Sequence, residues 1–213
     1  MSGSGGMIAI HGVWRLRSLT GAVLLLAAMT GTASQAAGPG KMVTGGLTSQ
    51  PIGHYDFCRL NPDECSIRMR HKGPVVLNEA LHALATNINM SVNKAVKPMN
   101  DFDIYGRDEV WAYPDQGVGD CEDYVLEKRR RLQQAGVSLS NLLITVVRKP
   151  DGEGHAVLTL RTDRGDMILD NLRDDLLIWQ ETGYSYLKRQ SSEHTGRWVT
   201  IIEDRNLLVG AVR

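Results

Sequence analysis

An excess of charge of either sign is missing from this sequence: Lys and Arg together number 24, and so do Asp and Glu. That balance excludes the basic stripe with which a nucleic-acid-binding chain meets phosphates, and it excludes an acidic solvating tail. Cysteine is scarce, with three in 213 residues, an odd number that leaves one outside any internal disulfide. Long apolar runs are scarce too. The one present, "LTGAVLLLAAMTGTA", is shorter than the ~20 residues a membrane span requires and is diluted by Gly and Thr. What is there is ordinary for one domain with a single core, at 42% hydrophobic residues.

The apolar run follows Arg15 and Arg17 and ends in small residues at "SQAAG". This is the pattern of a cleaved secretory signal over residues 1–37, with the cut near Ala36 or Ala37 and Met7 as an alternative start. Its removal takes two positive charges and leaves 24 − 2 = 22 basic residues against 24 acidic. Export is expected to place the mature chain in an oxidising compartment, where disulfides persist. Cys58 and Cys65 flank Asn61-Pro62-Asp63, whose turn chemistry brings two Cβ atoms within disulfide reach. The pairings 58 with 121 and 65 with 121 stay open from sequence alone, but the expected bond leaves Cys121 as a free thiol.

Residues 38–73, rich in Gly, Ser, Thr and Pro, read as an extended strap, and residues 74–213 as the domain proper. A helix is expected from Pro74, because Leu77, Leu81, Leu84, Ile88 and Val92 recur at three- and four-residue intervals. "DFDIYGRDEVWAYPDQGVG" reads as a loop of the kind that carries sites. "DCEDYVLEKRRRLQQAG" has Asp120 as N-cap, acids in its first turn, bases further along and Gly136 after its end, which together predict a helix. Its basic run reads as a dipole partner that pairs with Glu127, not as a binding patch. "LLITVVRK", "HAVLTLRT", "DMILDN", "YSYLKRQ" and "RWVTII" read as strands, with a hairpin at "DRG". One helix followed by an antiparallel sheet is an α+β layout. His54, His82 and His194 are read as exposed, and Trp179, Tyr184, Tyr186 and Trp198 as core or strand residues.

The free thiol lies in "GDCEDY", among three carboxylates that oppose its ionisation. At a helix start it would instead face the positive end of the dipole and free N–H groups, which favour a thiolate, while Glu122 and Asp123 project away from it. A nucleophilic thiolate needs a base and an orienting group. His155 begins one strand and Asp170 ends the next. An even hairpin loop sets Asp170 opposite Val157 on the face of His155, as a diagonal neighbour within side-chain reach, whereas an odd loop puts it on the other face. No local ligand spacing supports a catalytic zinc at Cys121 and His155.

"GDCEDY" opening a helix, then "GEGHAVL", then "MILDN", resembles the bacterial transglutaminase-like cysteine peptidases, a family that includes a periplasmic protease trimming biofilm adhesins. "TSQPIGHYDFC" and "YGRDEVWAYP" are similar to upstream segments of its short exported members, so the likeness spans about residues 44–202. It implies a papain-like or transglutaminase-like fold with Cys121 as nucleophile, His155 as general base and acid, and Asp170 as orienting carboxylate. Hydrolysis of a protein or peptide substrate through an acyl-enzyme follows, with the Cys121 N–H in the oxyanion hole and Gln116 and Trp111 as helpers. Transglutaminase or amidase acyl transfer by the same triad, and a non-catalytic binding module of the same fold, are the alternatives. The resemblance also implies calcium at Asp120, Glu122 and Asp123, although Val118 stands where a further acid belongs. No other cofactor is implied.

Overall fold

The computed structural model describes residues 40–70 and 73–203. The expected signal at 1–37 lies outside them. In chain order the elements are β1 (Val43–Thr48), α1 (Ile52–Leu60), α2 (Pro62–Cys65), α3 (Glu79–Ala95), β2 (Lys97–Pro98), α4 (Asp101–Tyr105), β3 (Val118–Gly119) and α5 (Cys121–Gln134). Then come the strands β4 (Leu142–Arg148), β5 (Gly154–Thr162), β6 (Gly165–Asp170), β7 (Arg173–Ile178), β8 (Ser185–Ser191) and β9 (His194–Ile202).

A seven-stranded sheet in the order β1-β9-β8-β4-β5-β6-β7 forms one layer, all its pairings antiparallel. The helices α3 and α5 pack against it through Ala85, Val125, Leu126 and Leu132, which meet Leu142, Ile144, Leu158 and Leu160. A second apolar cluster holds Met42, Val147, Val157, Ile168, Tyr184 and Tyr186. Because successive strand residues face opposite ways, β5 feeds both clusters: Leu158 and Leu160 join the first and Val157 the second. This is the α+β, papain-like arrangement expected, with the cysteine-bearing helix on the sheet that carries His155 and Asp170.

Three expectations are corrected. The segment 38–73 is not simply a strap: β1 is an edge strand paired with β9, and α1 and α2 follow it. Two glycines and a lack of alternation in "VTGGLT" hide that strand, which forms because β9 offers it an edge. The helix expected from Pro74 begins at Glu79, because Asn78 is the N-cap and accepts from the Leu81 N–H at 2.8 Å, while Val75 is held in an extended bridge to Thr162. His54 is buried, not exposed: segments distant in sequence close Trp111 and Trp198 edge-on around it. Its ring meets Gln50 Oε1 at 2.8 Å, and burial together with the charge of Arg129 lowers its pKa to about 3.

Cys58 and Cys65 form a disulfide, and Cys121 is the free cysteine. The bond closes a short loop between α1 and the end of α2, and such a closure contributes about 2 kcal/mol by restricting the unfolded chain. The double variant Cys58→Ala/Cys65→Ala is therefore expected to lose about that much stability in urea denaturation. A midpoint unchanged from wild type would refute it.

Candidate active site

The site is built at the first turn of α5, where a short parallel pair holds the approach. In that pair Lys97 lies beside Val118 and Pro98 beside Gly119, and the Met99 N–H donates to Gly119 O at 3.0 Å. Gly119 has to be glycine, since a Cβ there would meet Asp123 Oδ2 at 2.6 Å. Asp120 occupies the N-cap position and Cys121 is the first helical residue. Its backbone N–H is therefore among those with no partner inside the helix.

On the sheet side, β5 and β6 pair as Leu158 with Leu169 and Thr162 with Gly165. The two residues between Thr162 and Gly165 make the loop even, so the register places Asp170 across from Val157 and on the face of His155. The imidazole Nε2 and Asp170 Oδ1 are 2.9 Å apart, both groups buried. That contact leaves Nδ1 as the ring nitrogen free for a thiol. The Leu172 N–H also donates to Oδ1, at 3.0 Å. Burial pushes the Asp170 carboxyl up, but the imidazole and these donors outweigh it and hold its pKa below the ordinary value.

The helix and sheet meet at sulfur. The Ala156 N–H, one residue past His155, donates to Cys121 Sγ at 3.4 Å. The thiol itself donates to Glu122 Oε2 at 3.1 Å. The expectation that Glu122 projects away from the sulfur is thus corrected, because the side chain folds back along the first turn. A second correction concerns the thiol. Burial first, then the charge and hydrogen bond of Glu122, push its pKa well above the ordinary value, and the Ala156 N–H only partly opposes this. The cleft above has a volume of about 440 Å³ and is lined by Met99, Asn100, Asp103, Asp120, Cys121 and Asn171, among others.

Beside the cleft, Asp101, Asp120 and Asp123 can bring one oxygen each within 4.8 Å of one another. Asp101, from α4, went unnoticed in the sequence: it sits 19 residues before Asp120, and only the folding of the intervening loop joins them. Asp101 Oδ1, Asp120 Oδ1 and Asp123 Oδ2 are buried without a hydrogen-bond partner. Burial first, then the charges of Glu122 and Asp101, raise Asp120 to about 8, and burial, then the charges of Asp120 and Asp101 against the opposing Ala112 N–H, raise Asp123 to about 7. Glu122, named with these acids in the calcium expectation, is not in this group; it accepts from the thiol and also contacts Asp120.

Neither expected helper lines the cleft. Trp111 is buried in the core with its ring edge-on to His54 and Trp198, and Gln116 is exposed in the turn before β3. The basic run of α5 divides. Arg130 and Arg131 bind Glu127 as expected, whereas Lys128 and Arg129 are buried. Tyr184 and Asn93 support the site from a distance in sequence and had no local signal to mark them. Asn93 Nδ2 donates to Asp170 O at 3.0 Å.

A search of curated proteins gives no match. Among solved structures, calcium-bound LapG of Legionella pneumophila is 25% identical with a TM-score of 0.49, over 58% of this chain and 72% of that one. A second LapG structure from the same organism is 24% identical with a TM-score of 0.48, over 60% and 72%. A model of one protein family, the bacterial transglutaminase-like cysteine proteinases, matches residues 44–206. That match spans every element from the edge strand to the end of the sheet, so the chain belongs to the bacterial transglutaminase-like cysteine proteinase family.

Proposed function

We propose that this chain is an exported cysteine peptidase, with residues 1–37 as its secretory signal, that hydrolyses peptide bonds in a periplasmic or extracellular protein substrate through Cys121, His155 and Asp170. The observation that carries the reading is the convergence of a free thiol at a helix start with a buried His-Asp pair, linked by the Ala156 N–H. Asp170 holds Nε2 of the imidazole, so Nδ1 takes the thiol proton as sulfur attacks the peptide carbonyl and the S–C bond forms. The backbone N–H of Cys121 faces the developing oxyanion. His155 gives the proton to the leaving amine as the C–N bond breaks. Water then attacks the thioester, passes its proton to His155 and releases the acid, and the thiol is restored.

The acid cluster fits a hard cation such as calcium, since all its donors are oxygens and three of them are buried without partners. Asp101, Asp120 and Asp123 would hold it. When bound, the ion supplies positive charge beside the first turn of α5 and offsets the carboxylates that raise the thiol's pKa.

Brief iodoacetamide treatment of the mature protein across pH 5 to 9, with calcium and with EDTA, tests the reading. Fast labelling of Cys121 below pH 8, slowed in His155→Ala, is the expected result. Ordinary thiol behaviour in both proteins would sink it. The mass of a processed peptide then separates hydrolysis from amine transfer: a gain of water across the two products supports the peptidase, and a cross-linked product overturns it in favour of transamidation.

A further inference from the structure

We propose that Tyr184 is a positioning residue for the catalytic pair: its hydroxyl fixes the second oxygen of Asp170 while its ring braces the His155 imidazole. This rests on the triad reading above and extends it. The phenol O–H donates to Asp170 Oδ2 at 2.7 Å, and both groups are buried. Its ring stands edge-on to His155, with centroids 5.7 Å apart. Among the described residues, no other donor is recorded for Oδ2, because His155 and the Leu172 N–H both use Oδ1.

Tyr184 is itself held in place. The preceding Gly183 has φ +76°, a left-handed turn that favours glycine. The Tyr184 N–H donates to Thr182 Oγ1 at 3.3 Å, and that hydroxyl donates to Trp179 O at 2.8 Å. The loop between β7 and β8 therefore delivers one phenol to a fixed point. Hydrogen bonds to an ionised buried carboxylate are strong, and loss of one leaves an oxygen that seeks a proton. The nearest source is the imidazolium formed during catalysis. Without the phenol, Asp170 would draw that proton and swing away from Oδ1 geometry, so His155 would stabilise the thiolate less.

Tyr184→Phe keeps the ring and deletes the hydroxyl. In the full mature chain with calcium present, Cys121 alkylation by iodoacetamide at pH 7 is expected to slow about tenfold. In histidine-labelled protein, the downfield ring N–H signal that disappears in His155→Ala is expected to move upfield and exchange faster with solvent. Thr182→Val, which loosens the loop but keeps the phenol hydroxyl, controls for loosening of the loop and is expected to change both readouts less than Tyr184→Phe. A Tyr184→Phe protein with wild-type alkylation and an unmoved ring signal overturns the proposal, even if it melts lower. Should His155→Ala itself alkylate like wild type, the triad reading fails, and that outcome is separate because it does not involve Tyr184. If Tyr184→Phe does not fold, 3-fluorotyrosine at position 184, which keeps the ring and the hydroxyl but makes it a stronger donor, is expected to shift the His155 ring signal in the opposite direction, and an unmoved signal overturns the proposal.

Discussion

Serine in place of Cys121 is expected to lower peptide hydrolysis by about 10⁴-fold or more, with little change in stability. The size follows from what sulfur supplies. A hydroxyl at this position has no base strong enough to ionise it, because His155 is placed for a thiol and the surrounding carboxylates oppose any anion. Stability should hold because the replacement is smaller, polar and at a partly buried position, and its oxygen can still meet Glu122 and the Ala156 N–H. Product masses from a peptide library, with thermal melts alongside, check both halves. A serine variant that still cleaves at wild-type rate would assign the activity to some other group, and one that fails to fold would make Cys121 a structural residue.

Removal of calcium is expected to produce the second large effect. At free calcium a hundredfold above its dissociation constant, binding to the Asp101, Asp120 and Asp123 cluster stabilises the fold by about 2.7 kcal/mol. In a chain of this size that raises the melting temperature by about 5–10 °C, all of it lost in EDTA. The pH dependence has a definite sign. In the cation-free protein, burial and repulsion lift Asp120 to about 8 and Asp123 to about 7, from an ordinary 3.8. A carboxylate whose folded pKa is raised contributes stability at acid pH, and that contribution is lost as pH rises through the folded value. Melts in EDTA should therefore fall between about pH 4 and about pH 8. Calcium needs the ionised groups, so its stabilising effect should grow over the same range. A melting curve indifferent to calcium from pH 5 to 8 would refute the cation site. Asp101→Asn tests the one ligand that sequence did not suggest, and it should weaken calcium binding while leaving the cation-free fold intact or firmer.

These two effects rest on residues of different legibility. Cys121, His155 and Asp170 could be named as candidates from the chain because each stands at the boundary of a strongly patterned element: a capped helix start, a strand after a turn, and a strand before one. Local rules fix such boundaries, since caps and turns act over three or four residues. The hairpin between Thr162 and Gly165 then carries Asp170 to the His155 face by parity alone. The α+β layout was legible for the same reason.

The tertiary structure decided everything that depends on how far a side chain reaches or what closes over it. Pattern alone suggested that Glu122 would point away from the sulfur, yet its flexible side chain folds back to within 3.1 Å of Sγ. His54 looked like a strap residue until Trp111, Gln190 and Trp198 were brought around it. Asp101 joins Asp120 and Asp123 only because the loop between α4 and β3 doubles back, and Tyr184 reaches Asp170 only across the β7–β8 loop. The sequence by itself determined which groups this chain has for chemistry and on which elements they stand, because periodicity and capping are short-range. Burial, charge pairing and the partners of each carboxylate are long-range, and only the packed sheet and helices could settle them.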